Sequence, residues 1–440
     1  MDEAYLDTAH LFRRAGFGAL HQEIEQYKTW DWNDLVGMVL DSGRAPTPPP
    51  LPNLSSNSDS YGQYVDMVHY WLDLARRPVN QAPVVEKMVL FWHGLLCSAL
   101  GKVHNHQILM EQNQLFRRDG LGDYRTLLQR VSIGSAMVLY LDNDQNVVGK
   151  PNENFSRELM ELFVTGLGHY SETDVKESAR AWTGHGVDDN DNYRFDASAH
   201  DGGIKTFMGQ RGNFDGPDII NILLDRRRSA HARFMCHRLW SFFAYPVDLN
   251  HWIVTDLMAT YQVGLNIRDT LRAIFLHPKF RSEQARNGLI RSPIEYVVAV
   301  MRHANMDSAT VHPEWFLPGM GQRPFDPPNV SGWRQNEYWI SDSAAWSKLN
   351  LANQVRWAAY RRDDILQTEE VSGYNPLTFK FTPNQSVNNA IANYGLGSIN
   401  VDSYRKLVDF VKTERASDHR WTERAGLLMI PLLLPELQMA

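Results

Sequence analysis

The residues best suited to chemistry lie together in one stretch. From Asn152 to Gly186 the chain reads NENFSRELMELFVTGLGHYSETDVKESARAWTGHG, its densest run of ionisable and amide side chains. Glu158 and Glu161 are carboxylates of this run, Arg157 and Arg180 its guanidinium groups, and His185 an imidazole near its end. A carboxylate with an imidazole can hold a divalent ion or move a proton, and an arginine beside them orients a carboxylate or an anionic substrate. Earlier, His93 and Cys97 stand one helical turn apart, a spacing that suits one shared ion. On the site reading Glu158, Glu161, Arg157, Arg180 and His185 are catalytic, and His93, Glu158, Glu161 and His185 are the ligands if the cofactor is a divalent metal ion. On the structural reading the same glutamates are bonded to Arg157 and Arg180 and tie two helices together, because ion-pair networks also perturb titration without catalysis. His93 is then a core imidazole bonded to a carboxylate or carbonyl, its two nitrogens both accounted for.

The elements that must position these groups are helices. After Pro151 the pattern predicts a helix over 152–165, with Phe155, Leu159, Leu162 and Phe163 on an inward arc. Asn154, Glu158 and Glu161 flank that arc, and Glu153, Arg157 and Glu161 follow i,i+4 spacing. Gly166 and Gly168 end the helix. Ser171-Glu-Thr-Asp then opens a second one with a capping box, burying Val175, Ala179 and Trp182. The result is a helical hairpin at 152–186. His93 falls on a strongly apolar helix predicted over 84–100, opened by Pro83.

The rest of the chain is mostly helical in pattern. Residues 1–44 form an N-terminal helical segment in which Arg13 and Arg14 close a helix, either as solvated ends or as an anion clamp. Residues 45–60, APTPPPLPNLSSNSDS, read as a connector, and 61–440 as the main domain. Residues 187–216 are polar and Gly-rich, with Tyr193-Arg-Phe alternating and His200-Asp-Gly-Gly turning, which fits a β-hairpin or lid. His237, Arg233 and Arg238 project from a helix over 230–243. Residues 313–346 are rich in Pro, Trp and Gly; they form either a packed loop or a pocket wall built on Asp326, Asn329, Trp333 and Trp339. The region 367–400 reads as an insertion. The fold class is thus mainly α, a large multi-helical domain with a small β-hairpin or lid insertion near 187–216.

Composition narrows the function. A chain of 440 residues with 43% hydrophobic and 22% charged side chains has material for a substantial core. Net charge is −7 and Lys and Arg are dispersed, so no nucleic-acid face is expected. Neither a phosphate-loop motif nor a Gly-x-Ser-x-Gly elbow occurs. The longest apolar run, Leu427–Leu434, is too short to span a bilayer, which takes ~20 residues. The first residues show neither a basic nor an apolar leader region, so the chain as written is expected in the cytoplasm. Cys97 and Cys236 do not make a disulfide framework.

Taken in order, HLFRRAGFG, the FWHG of Phe91–Gly94, the NENFSRELMELF and YSETDVKESARAWTG block, HDGGIKTFMG, ARFMCHRLW and PPNVSGW at 327–333 resemble the bacterial domain-of-unknown-function 1800 family. The closing Leu-Leu-Leu-Pro-Glu-Leu-Gln is similar as well, so the resemblance covers nearly the whole chain. It implies a mostly helical protein of unsettled activity, often exported in relatives, and commonly encoded beside a sulfatase- or alkaline-phosphatase-like partner. Many relatives read Phe-Trp-His-Asn-His-Phe where this chain has FWHGLL, so Leu95 replaces a second histidine. Many also read Thr-Gly-Trp where Thr183-Gly184-His185 stands, which offers His185 as a substitute ligand. Two functions are expected from these readings. One is an enzyme of unknown reaction with a buried Glu/His/Arg site; the other is a non-catalytic partner or scaffold using the aromatic-rich surface at 313–346.

Overall fold

The computed structural model describes residues 2–54, 59–361, 381–396, 399–417 and 420–439. The mainly helical class is observed. Helix α1 (Glu3–Arg14) is capped by Asp2 and carries Arg13 and Arg14 at its C-terminal end. After the 45–60 region, α2 (Ser60–Ala75) starts on Asp59, whose carboxylate accepts from the Tyr61 and Gly62 amides. It buries Tyr64, Met67, Val68, Trp71 and Leu72. Helix α3 (Val84–Leu95) is buried along its whole length except at Gly94, as a helix at the centre of a layered bundle must be.

Two expectations for helix length are corrected. The helix predicted over 84–100 ends at Leu95, because Ala99 is extended and the Leu100 amide donates to Phe325 O at 2.8 Å. Cys97 therefore lies outside the helix, and its thiol donates to Val330 O at 3.2 Å rather than sharing a ligand with His93. The helix predicted over 152–165 is two pieces: α4 (Asn154–Glu158) and a π-helical stretch, Leu159–Val164. The Thr165 amide and hydroxyl both reach back to Met160 O, at 2.9 Å each, and this five-residue closure is what widens the coil.

The capping box on α5 (Glu172–Ala181) forms as expected: the Ser171 hydroxyl receives the Asp174 amide, and the Asp174 carboxylate receives the Ser171 amide. Beyond it the lid expectation resolves into two antiparallel hairpins, β1 (His185–Val187) with β2 (Tyr193–Phe195), and β3 (Lys205–Phe207) with β4 (Gln210–Gly212). Helices α6 (Arg228–Phe243), α7 (Pro293–His303) and α8 (Asp342–Arg361) follow. Every residue of α7 is buried. Its charges are accordingly paired: Glu295 with Lys87 of α3, and Arg302 with Glu23 at 2.6 Å. Within the region read as an insertion, 367–380 and 397–398 lie outside the described residues, while Pro383–Asn393 form a helix. One apolar cluster runs from Tyr5 to Leu437, and the Trp32 indole donates to Phe275 O at 3.0 Å, so the N-terminal segment packs into the same core as the rest.

The 313–346 region is mostly a packed loop. It is anchored where Gly332, at φ +73°, lies against Gly94 of α3: a Cβ on Gly332 would stand 2.0 Å from the Gly94 carbonyl oxygen. Trp333 and Trp339 are buried.

Candidate functional site

The two arginines of the central hairpin do not neutralise its two glutamates. Arg157 bonds Glu153 and Glu172, at 3.2 and 2.8 Å, and Arg180 bonds Glu177 and Asp201, at 2.9 and 2.7 Å. Asp201 and Arg180 thereby fix the loop after β2 onto α5, and His200 bonds Thr183 O at 2.9 Å, so both loop residues serve the turn. Glu161, displaced by the π-helical widening, accepts from the Tyr170 phenol at 2.6 Å. The carboxylate of Glu158 has no hydrogen-bond or ion-pair partner among the described residues. Burial, with the charge of Glu161 second, raises its pKa against the pull of Arg157.

The two histidines sit elsewhere. His93 is buried, its Nε2 accepts the Phe325 amide at 2.9 Å, and Trp71, Phe325 and Trp333 surround the ring. Burial pushes its pKa down to about 3, so it stays neutral. His185 bonds the Tyr193 phenol through Nδ1 at 2.9 Å and packs on Trp182 and Phe195. Its Nε2 is buried without a partner, and burial lowers its pKa to about 4. The hairpin thus brings Glu158 and Glu161 near each other, whereas His93, His185, Arg157 and Arg180 each belong to a separate set of contacts.

Among the described residues, the histidine, cysteine and carboxylate donors that meet metal-ligand spacing are His69, His312 and Glu314. One donor atom from each lies within 4.8 Å of the others. His69 projects from α2, and its Nε2–H donates to Glu314 Oε2 at 2.8 Å; His312 donates from Nδ1 to Oε1 at 3.2 Å. Both oxygens of one carboxylate are therefore held by two imidazoles. Local structure explains the placement. The short helix Ser308–Val311 ends at His312, whose left-handed backbone (φ 56°) turns the chain, and Pro313 then starts the turn that presents Glu314. Asp73, one turn beyond His69 on α2, accepts from the Ser308 amide at 3.0 Å and from its hydroxyl at 2.7 Å, which docks this segment against α2. The His312 ring is stacked on Trp315, centroids 4.1 Å apart and planes 8° apart, so its orientation is set.

The electrostatics suit a cation. Glu314 is almost fully buried, which alone would raise its pKa, yet the bonds from His69, its own amide and His312 outweigh burial and hold it below the ordinary carboxylate range. The two histidines are only partly buried, so one side of the group faces solvent. Two imidazole nitrogens and a carboxylate with an open side are the donor set of zinc and related divalent ions. An ion about 2 Å from each donor would hold the donors roughly 3.3 Å apart, inside the 4.8 Å within which they already lie. The charge of Glu314 reaches Tyr64 of α2, that of Asp326 reaches both Tyr64 and Tyr140, and that of Glu158 reaches Tyr140.

A reading of the sequence misses this triad, because its donors are 243 and 2 residues apart and only the second spacing is local. The local signal is the His312-Pro-Glu314 run just ahead of the aromatic loop. Of the four proposed pocket-wall residues, Trp333 lines a cavity, treated below; Asp326 instead accepts the Gly101 amide at 3.0 Å. No helix among the described residues is long and apolar enough to cross a membrane. A family model described as protein of unknown function (DUF1800) matches residues 10–439. No curated protein and no solved structure matches the chain.

Proposed function

Because the chain belongs to the DUF1800 family, whose function is unknown, its role has to be argued from its own geometry, and we propose that it is a divalent-metal protein centred on His69, His312 and Glu314. The observation that carries this is one buried, ionised carboxylate shared by two partly exposed imidazoles from separate segments. With three protein donors and an open side, the ion would keep a position for water, and a bound water with a lowered pKa is the usual nucleophile of such centres. Glu158 is a second proposed acid/base group, on the central hairpin and outside the contacts of the triad. Its carboxyl is unpaired and its proton affinity raised, with Glu161 and Tyr170 beside it. Zinc and manganese titrations of protein stripped with chelator test the proposal. It requires about one ion per chain, lost in His69→Ala and Glu314→Gln; absence of stoichiometric binding in the unaltered chain defeats it.

A partner role has its own support in Trp315, Tyr338 and Ile340 of the loop and Trp346 in the first turns of α8, all large, apolar and exposed. On that reading they would meet the sulfatase- or alkaline-phosphatase-like protein expected from the family resemblance. Replacing Tyr338 and Trp346 by Ser would abolish that association and leave metal stoichiometry unchanged.

A further inference from the structure

A cavity of about 320 Å³ opens between α3, α6 and the aromatic loop, away from the His69 triad. Phe91, Leu95, Phe242 and Trp333 are among its apolar walls. Glu295 lies at one side of it, and Arg238 of α6 lines it as well. The charge around Glu295 is unbalanced. Lys87 bonds its carboxylate, and Arg14 and Arg291 both act on it, all three cations being buried. Arg13 stands close enough to Arg291 for each charge to weigh on the other. Among the described residues no second carboxylate bonds any of these four cations. Nε and Nη1 of Arg14 and Nη1 of Arg291 are buried with no hydrogen-bond partner at all. These cations are not among the lining residues; they offset the charge of Glu295, so the carboxylate it brings to the cavity wall is already compensated.

Arg238, by contrast, lines the cavity itself. Its guanidinium lies 5.2 Å from the Phe234 ring centre and, among the described residues, has neither an ion-pair nor a hydrogen-bond partner. An unpaired fork beside apolar walls is how proteins bind an organic acid. Size and charge narrow the class. The volume is at the low end for small-molecule sites, enough for one ring and a short chain. Glu337 lines the cavity along with Glu295, so a doubly charged head would meet two carboxylates. We propose that this cavity binds a small aromatic or branched monocarboxylate, its head on Arg238 and its body against Phe91, Phe242 and Trp333.

Phenylacetate, phenylacetamide and phenyl phosphate are the probes, read by tryptophan fluorescence with Trp333→Phe as the check on the signal. Phenylacetate should bind saturably, and phenylacetamide about tenfold or more weaker, since only the charge and one acceptor differ. Arg238→Gln should weaken phenylacetate by a similar factor, Arg238→Lys by less, and neither should move the thermal midpoint of this exposed position. Equal affinity for acid and amide overturns the proposal without reference to any variant. So does tighter binding of phenyl phosphate, unchanged affinity in Arg238→Gln, or no saturable binding of phenylacetate at millimolar concentration.

Discussion

Replacing His93 by Phe separates a core imidazole from a ligand, and the structure sets the size of the effect. The ring is buried, and its Nε2 accepts the amide of Phe325, a bulky residue held at φ +60°. Phe keeps the volume but leaves that amide without an acceptor, which costs about 1–3 kcal/mol at pH 7.5. Acidity reverses the comparison. His93 titrates at about 3 in the folded chain, because burial opposes its charge, against an ordinary value of 6.5. A base with a depressed folded pKa contributes its full stability above the unfolded value and loses it as pH falls towards the folded one. At pH 4.5, two units below the unfolded value, the loss is about 2.7 kcal/mol, at 1.36 kcal/mol per unit. Urea unfolding followed by tryptophan fluorescence at pH 7.5 and 4.5 is the assay. The wild-type chain should lose about 2.7 kcal/mol more than His93→Phe between the two. Parallel losses would refute the assignment of His93 as a buried neutral acceptor.

Three further outcomes follow from the same structure. Glu158→Gln should raise the thermal midpoint at pH 8 and leave it unchanged near pH 4, because a carboxyl with a raised folded pKa lowers stability only once it ionises; a midpoint that falls at pH 8 would mean the carboxylate has a cationic partner. Gly332→Ala should destabilise by on the order of 3 kcal/mol or more in denaturant melts, since the added methyl would collide with the Gly94 carbonyl at a positive φ; a shift below about 1 kcal/mol would show that the loop anchor yields. Arg117→Met should cost about 3–5 kcal/mol, because it strands Glu86, a buried carboxylate held by two guanidinium bonds of 2.6 and 2.8 Å. Near-neutral stability in that variant would mean Glu86 takes a proton instead.

What the sequence discloses here is local, and what it hides is the pairing of distant segments. The Ser171–Asp174 capping box and the turns at 166–168 depend on neighbours within a few residues, so they can be read directly. The apolar arc of Phe155, Leu159 and Phe163 is buried as its spacing requires. The partners of Arg157 and Arg180 are less legible: Glu172 and Asp201 lie 15 and 21 residues away and reach them only after the chain has folded back. The π-helical stretch depends on Thr165 competing for the Met160 carbonyl, which helical periodicity does not register. Hardest of all is Glu314, whose neighbourhood looks like turn chemistry until α2 brings His69 against it. The FWHG and PPNVSGW motifs show the opposite case: two glycines far apart in sequence meet because neither has a side chain to keep the backbones apart.

Isothermal titration of the chelator-stripped chain with zinc, beside Glu314→Gln, is the most direct examination of the metal-centre account. It predicts one ion per wild-type chain and at least tenfold weaker binding in the variant, which loses the carboxylate that both imidazoles meet. Equal affinity of the two proteins, or no stoichiometric binding to the wild-type chain, would contradict it.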